Sequence, residues 1–118
     1  MKKVFYLKTC GTCKKIMAKY NLSDWEFREI KSQPVTKEEL AEMYAKTKSY
    51  EALFSKKSTQ IKARGIDVKS LKEKDFKDLI LDHYSFLKRP VFMTDEVIFA
   101  GSDKNNLEKL DQFFGEFN

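Results

Sequence analysis

Cys10-Gly11-Thr12-Cys13 falls where an apolar stretch, Val4-Phe5-Tyr6-Leu7, gives way to Lys14-Lys15-Ile16-Met17-Ala18-Lys19, and this junction constrains the fold more than any other part of the chain. A C-x-x-C pair that follows a strand and opens a helix places its first cysteine at the helix start. Unpaired N–H groups and the positive end of the helix dipole favour an anion there, so Cys10 is expected to ionise more readily than a free thiol. Cys13, one turn on, is within reach for an internal disulfide. A purely structural disulfide is the weaker reading, since closing so small a loop removes little unfolded-state entropy. Zinc needs four ligands, and beyond these two cysteines and His83 a site would need carboxylates or a second chain. Redox chemistry is favoured over an inert pair, and no metal is expected.

Periodicity gives the order of elements. Lys3 to Leu7 is a short apolar run of the kind buried at a sheet centre. A first helix is predicted from about Gly11 to Lys19, with Ile16, Met17 and Tyr20 on one face. Asn21-Leu22-Ser23-Asp24 breaks it, and Trp25 to Ile30 alternates Trp25 and Phe27 with charged neighbours, the period of a half-buried strand. Strand, helix and strand in this order imply a right-handed parallel βαβ unit with the cysteines at the carboxyl end of the first strand. Thr36-Lys37-Glu38-Glu39 has the form of a capping box, so a helix begins at Lys37 with Leu40, Met43 and Tyr44 as its apolar stripe. Ser49 is placed to cap a short helix through Phe54. Further helices are predicted over Thr59 to Ala63, ended by Gly65, and from about Leu71 to His83. Arg89-Pro90 then opens Val91-Phe92-Met93, and Thr94-Asp95-Glu96 turns the chain into Val97-Ile98-Phe99-Ala100, a hairpin. A last helix, capped by Ser102 or Asp103, buries Leu107, Leu110, Phe113 and Phe114.

At 118 residues the chain is expected to be one domain, with residues 1–31 and 88–118 as its core and residues 37–87 as a helical insert. Lys2-Lys3 leads into only four apolar residues before Lys8, so neither a signal peptide nor a membrane span is expected. The expected location is cytoplasmic, where a C-x-x-C cycles rather than staying oxidised. Charge is concentrated in the middle: between Lys46 and Lys72, eight basic residues stand against Glu51 and Asp67. A solvated lysine-rich face accounts for most such segments, an anionic substrate or an acidic partner being the alternative. No motif for direct nucleic-acid binding is present.

A βαβ unit with C-x-x-C at its first turn, then a proline-led hairpin and a closing helix, resembles the thioredoxin-like fold. Here that means an α/β fold with a mixed four-stranded sheet and a helical insert between the βαβ and ββα halves. The stretch from Tyr6 to Lys15, the helix start at Pro34-x-Thr36-x-x-Glu39-Leu40, and Leu87-Lys88-Arg89-Pro90-Val91 together resemble the ArsC/Spx family of glutaredoxin-linked arsenate reductases and Spx transcriptional regulators. The resemblance implies that Pro90 is cis and faces Cys10, that Cys10 is the reactive cysteine, and that Arg89 binds an oxyanion beside it. Two further oxyanion-binding arginines of the arsenate reductases are missing. Phe54-Ser55-Lys56-Lys57-Ser58 replaces one and Ala100-Gly101-Ser102 the other. The glycine with which Spx regulators meet RNA polymerase is likewise absent from Thr47-Lys48-Ser49-Tyr50.

What the resemblance implies is a cytosolic thiol–disulfide oxidoreductase, arsenate-reductase-like, with Cys10 as nucleophile and Cys13 as resolving thiol. Its substrate would be a small oxyanion or a disulfide, and its reductant glutathione, glutaredoxin or thioredoxin, with no tightly bound cofactor and a monomeric chain. Arg89, Thr12, Lys14 and Lys57 are the expected substrate-binding residues, with Lys56 as a second source of charge and the Thr12 hydroxyl placed to donate to the thiolate. Tyr6, Lys8 and Thr9 are weaker candidates, and His83 is expected to be a packed or surface histidine. The alternatives are an Spx-like redox-sensing regulator that binds RNA polymerase and a redox-switched binding module without turnover.

Overall fold

A computed structural model describes residues 1–117, with side chains described as far as Gly115. Strand β1 (Lys2–Tyr6) runs into helix α1 (Gly11–Met17), which ends two residues before the predicted boundary, and the chain returns as β2 (Glu26–Glu29). Helices α2 (Lys37–Thr47), α3 (Thr59–Ala63) and α4 (Glu73–Asp82) follow, interleaved with short 3-10 turns at Glu51–Leu53, Val68–Ser70 and Tyr84–Phe86. Strands β3 (Val91–Thr94) and β4 (Ile98–Ala100) form the hairpin, and α5 (Lys104–Phe117) closes the chain. The sheet order is β2-β1-β3-β4. β1 lies parallel to β2 and antiparallel to β3, and β3 antiparallel to β4, which is the mixed four-stranded thioredoxin-like sheet. No helix among the described residues is long and apolar enough to cross a membrane.

Because the central strands are covered on both faces, they read as continuous apolar runs rather than alternating ones. Val4 and Phe92 point to one layer with Ile16 of α1, Trp25, and Leu110 and Phe114 of α5. Phe5, Val91 and Met93 point to the other, against Leu40 and Met43 of α2, Leu53, Phe54, Phe76, Ile80, Phe86 and Leu87. The helical segment is therefore packed on the sheet, and its aromatic centre is a stack of Phe54 on Phe86 at 5.4 Å.

Strand β2 departs from its alternation. Trp25 is buried beside Phe92 and Phe114, but Phe27 is half exposed, its ring meeting Tyr6 edge-on at 5.8 Å. Arg28, on the opposite face, is buried instead. Its burial is sustained by a two-point pair with Glu39, Nε donating to Oε2 at 2.7 Å and Nη2 to Oε1 at 2.6 Å. Nη1 donates to the carbonyl and the side-chain oxygen of Gln33, both at 3.2 Å, and the guanidinium lies 5.7 Å from the Phe5 ring centre. Glu39 is also the N3 residue of the α2 capping box, accepting from Thr36 N–H at 3.0 Å while the Thr36 hydroxyl accepts from Glu39 N–H at 3.0 Å. Lys3 of β1 reaches the same carboxylate at 3.3 Å.

Burial works against the Glu39 charge, yet Arg28, the Thr36 N–H and Lys3 outweigh it and hold the carboxyl down to about 2. A folded-state value below the ordinary 4.5 means that the stabilisation is complete above that pH and declines as pH falls toward 2. The contribution is on the order of 3 kcal/mol, roughly half of it gone by pH 3. Denaturant titrations at pH 7 and pH 3 should show this loss in the parent chain and only a small one in Glu39→Gln. Glu39→Ala should lose about 3–5 kcal/mol at pH 7, because it leaves Arg28 buried and unpaired.

Candidate active site

Cys10 is the N-cap of α1, with extended backbone at φ −85° and ψ 109°, so its sulfur turns back over the first helical turn. The Cys13 N–H donates to Cys10 Sγ at 3.3 Å. Burial raises the Cys10 pKa, but the N–H and thiol of Cys13, the charge of Arg89 and the Thr12 N–H together leave it below the ordinary thiol value of 9.0. Cys13 is the opposite case. Its residue is wholly buried, and burial, its hydrogen bond to Cys10 and the Cys10 charge push it up to about 12. One sulfur is thus prepared to ionise while the other keeps its proton and donates it to the first. Both are free thiols. Thr12 acts on Cys10 through its backbone N–H, where the sequence pointed to its hydroxyl; the helix start presents amides, not side chains, to the capping atom.

The Arg89–Pro90 peptide bond is cis, and Pro90 is buried. Arg89 Nη1 is spent on main-chain carbonyls, those of Leu87 at 3.0 Å, Ser85 at 3.2 Å and Tyr84 at 3.4 Å. Its Nε is buried with no hydrogen-bond partner. The guanidinium is therefore fixed by the turn before β3, and it lines the same cavity as Cys10 with one donor unmet.

That cavity has a volume of about 680 Å³. The Cys10 turn, the Ser49–Ala52 and Phe54–Lys57 segments, Lys88-Arg89 and Gly101–Asp103 surround it. Two main-chain hydrogen bonds suspend the helical segment over Cys10: Ser55 N–H to Phe86 C=O and Lys88 N–H to Leu53 C=O, both at 2.8 Å, on either side of a Phe54–Leu87 bridge. Lys56 and Lys57 are thereby carried to the rim. Lys56 is paired with Glu51 at 2.8 Å, whereas Lys57 has no acidic partner among the described residues.

Of the residues picked from sequence, Cys10, Thr12, Lys56, Lys57 and Arg89 share this cavity, with Cys13 buried beneath Cys10 and Pro90 behind Arg89. Lys14 does not join them. Pointing away along α1, it lines a separate shallow groove with Tyr6, Lys8, Met17, Leu22 and Phe27. Cys10 is the extended N-cap, its sulfur turned back onto the Cys13 N–H, so the direction of Lys14, set inside the helix, does not follow that of Cys10 although the two are four residues apart. Tyr6 and Lys8 face that groove as well, and Thr9 is exposed beside the turn. His83 is a local structural residue, its Nδ1 accepting from Ser85 N–H at 3.0 Å and its ring stacked on Tyr84 at 4.5 Å. Lys88, Ser49, Ser55 and Asp103 were not picked from the sequence, although adjacency to Arg89 was a usable signal for Lys88. Among the described residues no three His, Cys, Asp or Glu side chains gather into a metal site.

A model of the ArsC family matches residues 5–110. The global transcriptional regulator Spx of Streptococcus mutans is 27% identical over 107 residues, covering 88% of this chain and 78% of that protein. Among solved structures, an ArsC family related protein from Bacteroides fragilis superposes with a TM-score of 0.73 at 22% identity, over 92% of this chain and 96% of that one. An arsenate reductase (ArsC) related protein from Brucella melitensis gives 0.67 at 22% identity, over 96% and 93%.

Two cysteines with oppositely displaced pKa values should alkylate at very different rates. At pH 7, mass spectrometry after a short iodoacetamide pulse should find the label on Cys10 and little on Cys13. The rate against pH should have its midpoint below the ordinary thiol value, and Arg89→Gln should move that midpoint upward, since a neutral side chain no longer favours the thiolate.

Proposed function

Since the chain belongs to the ArsC family, we propose that it is a thiol-dependent reductase in which Cys10 is the nucleophile and Cys13 the resolving thiol. The observation that carries this reading is the split between the sulfurs, Cys10 favoured as thiolate and Cys13 held protonated. The Cys10 thiolate attacks one sulfur of a disulfide substrate, forming a mixed disulfide and expelling the other sulfur as a thiolate. Consumption of the Cys10 charge removes two of the causes that raise the Cys13 pKa, its hydrogen bond to that sulfur and the repulsion between them. Cys13 then loses its proton to solvent or to the departing thiolate and attacks Cys10 Sγ. This closes the Cys10–Cys13 disulfide and releases the second half of the substrate. Two electrons have passed from the pair to the substrate, and an external thiol (glutaredoxin, thioredoxin or two glutathione molecules) returns them. Arg89 keeps Cys10 ionised before attack and meets the anionic part of what arrives.

Arsenate is the poorer substrate in this reading. Lys56 is engaged by Glu51, and a lysine lacks the planar fork by which arginine holds an oxyanion. Each charge-assisted hydrogen bond lost with a missing arginine is worth on the order of 1.5–3 kcal/mol. A cavity of about 680 Å³ is also far roomier than a four-oxygen anion needs.

The similarity to Spx supports a second reading, in which the same pair is a redox switch in a transcriptional regulator that binds RNA polymerase. Turnover separates the two. With glutathione and glutaredoxin present, the reductase should reduce a low-molecular-weight disulfide over many cycles. Cys13→Ser should accumulate the Cys10 mixed disulfide, and Cys10→Ser should give no adduct. Arsenate at micromolar concentration should turn over slowly, and fast arsenate reduction would reverse the preference for disulfides. One equivalent of oxidation without cycling, together with redox-dependent polymerase binding, would favour the switch.

A further inference from the structure

Most of the charge around the Cys10 cavity is already committed. Lys56 is paired with Glu51, Arg89 Nη1 is held by three carbonyls, and the Asp103 carboxylate caps α5 by accepting from Asn106 N–H at 3.2 Å. Lys57 and Lys88 line the cavity with no acidic partner among the described residues. Lys88 differs from Lys57 in how it is held. Its N–H is fixed to Leu53 C=O, and its stem lies across Gly101. A Cβ at residue 101 would meet Lys88 Cδ at 3.3 Å and Cβ at 3.7 Å, and the φ of +98° at this position is one that glycine alone adopts readily. Gly101 is in turn tied to the start of β3, its N–H donating to Pro90 C=O at 2.9 Å. The backbone on both sides of the cavity floor thus makes room for one lysine stem, at the corner formed by Ala100-Gly101-Ser102.

We propose that Lys88, seated over Gly101, is a carboxylate-binding subsite beside Cys10, taking an acidic group on the disulfide substrate while Arg89 serves the sulfur. The proposal rests on the reductase reading for the identity of the attacking sulfur. It assigns the substrate to a class, disulfides that carry a carboxylate within a few atoms of the reacting sulfur. Lys57, on the Phe54–Lys57 side of the cavity, supplies a second cation. The Asp103 carboxylate, its Oδ1 3.8 Å from the Cβ position at Gly101, makes no ion pair with Lys88 and stays on the Asn106 N–H.

The test compares single-turnover attack of Cys10 on two aromatic disulfides, 5,5′-dithiobis(2-nitrobenzoate), which carries carboxylates, and neutral 2,2′-dithiodipyridine. Each attack forms the Cys10 mixed disulfide and expels one coloured aryl thiol, and closure of the Cys10–Cys13 disulfide expels the second, so no external reductant is needed and the first phase reads the attack. Lys88→Met should lower the ratio of the benzoate rate to the pyridine rate about threefold at low salt, in line with the loss of one exposed charge pair, with the pyridine rate itself within twofold of the parent. Lys88→Arg should restore the ratio, and Lys109→Met, on the outer face of α5, should leave it unchanged. A merely structural role for Lys88 would lower both rates together, and that result, or an unchanged ratio in Lys88→Met, overturns the subsite. Parent protein whose Cys10 attacks neither disulfide overturns the reductase reading instead.

Discussion

Ser55 N–H to Phe86 C=O and Lys88 N–H to Leu53 C=O form a two-bond ladder, and the site depends on it more than on any side-chain contact. The ladder is the place where the helical segment is hydrogen-bonded to the stretch that leads into β3. On one side it fixes the Phe54–Lys57 rim of the cavity; on the other it fixes Lys88 and Arg89 two residues and one residue before the cis proline. Main-chain bonds carry no chemical specificity, but they are insensitive to side-chain rotamer, so the rim stays in register with Cys10 whatever the lysines do. Phe54 and Leu87, the bridged pair, are both fully buried, which shields the two bonds from competing water.

Arg28 and Glu39 hold the opposite end of the same layer. Arg28 belongs to β2, Glu39 to the first turn of α2, and Lys3, their third member, to β1. A buried ion pair contributes little net stability over an apolar pair of similar volume, because desolvation offsets the Coulomb gain. Its effect here is positional. Only one placement of α2 on the sheet satisfies the guanidinium, both carboxylate oxygens, the Thr36 N–H and the Gln33 carbonyl together.

This pair also marks where sequence legibility ended. Helix starts, the hairpin and the central strands were readable because each depends on local chemistry: a capping box at Thr36–Glu39, a proline before Val91, apolar runs at Val4-Phe5 and Val91-Phe92-Met93. The inward face of β2 was not readable. Alternation nominated Phe27 for burial, but which residue of an edge strand is covered depends on a partner eleven residues away, and a buried arginine with its own carboxylate looks like two surface charges in a linear pattern. At the site, Cys10 and Cys13 were legible from spacing, and Arg89 and Pro90 from a family resemblance. Nearness in sequence to a helix N-cap does not fix the side-chain direction of Lys14, which lines a different groove, and the space that Lys88 occupies is created by a glycine thirteen residues later, which no local pattern shows.

The cations around Cys10 divide by stiffness. Arg89 has given one guanidinium nitrogen to three carbonyls and left its buried Nε without a partner, an arrangement that costs about 1–3 kcal/mol for the unmet donor. Such a guanidinium cannot follow a substrate. It offers instead a constant positive field at the sulfur, which suits a thiolate whose position is itself fixed by the Cys13 N–H. Lysine stems on the rim have the opposite character, with several rotatable bonds and no bidentate geometry to satisfy. Fixed charge at Cys10 and adaptable charge at the rim are what the proposed reaction would require, since in it the attacking atom is always the same and the group expelled is not.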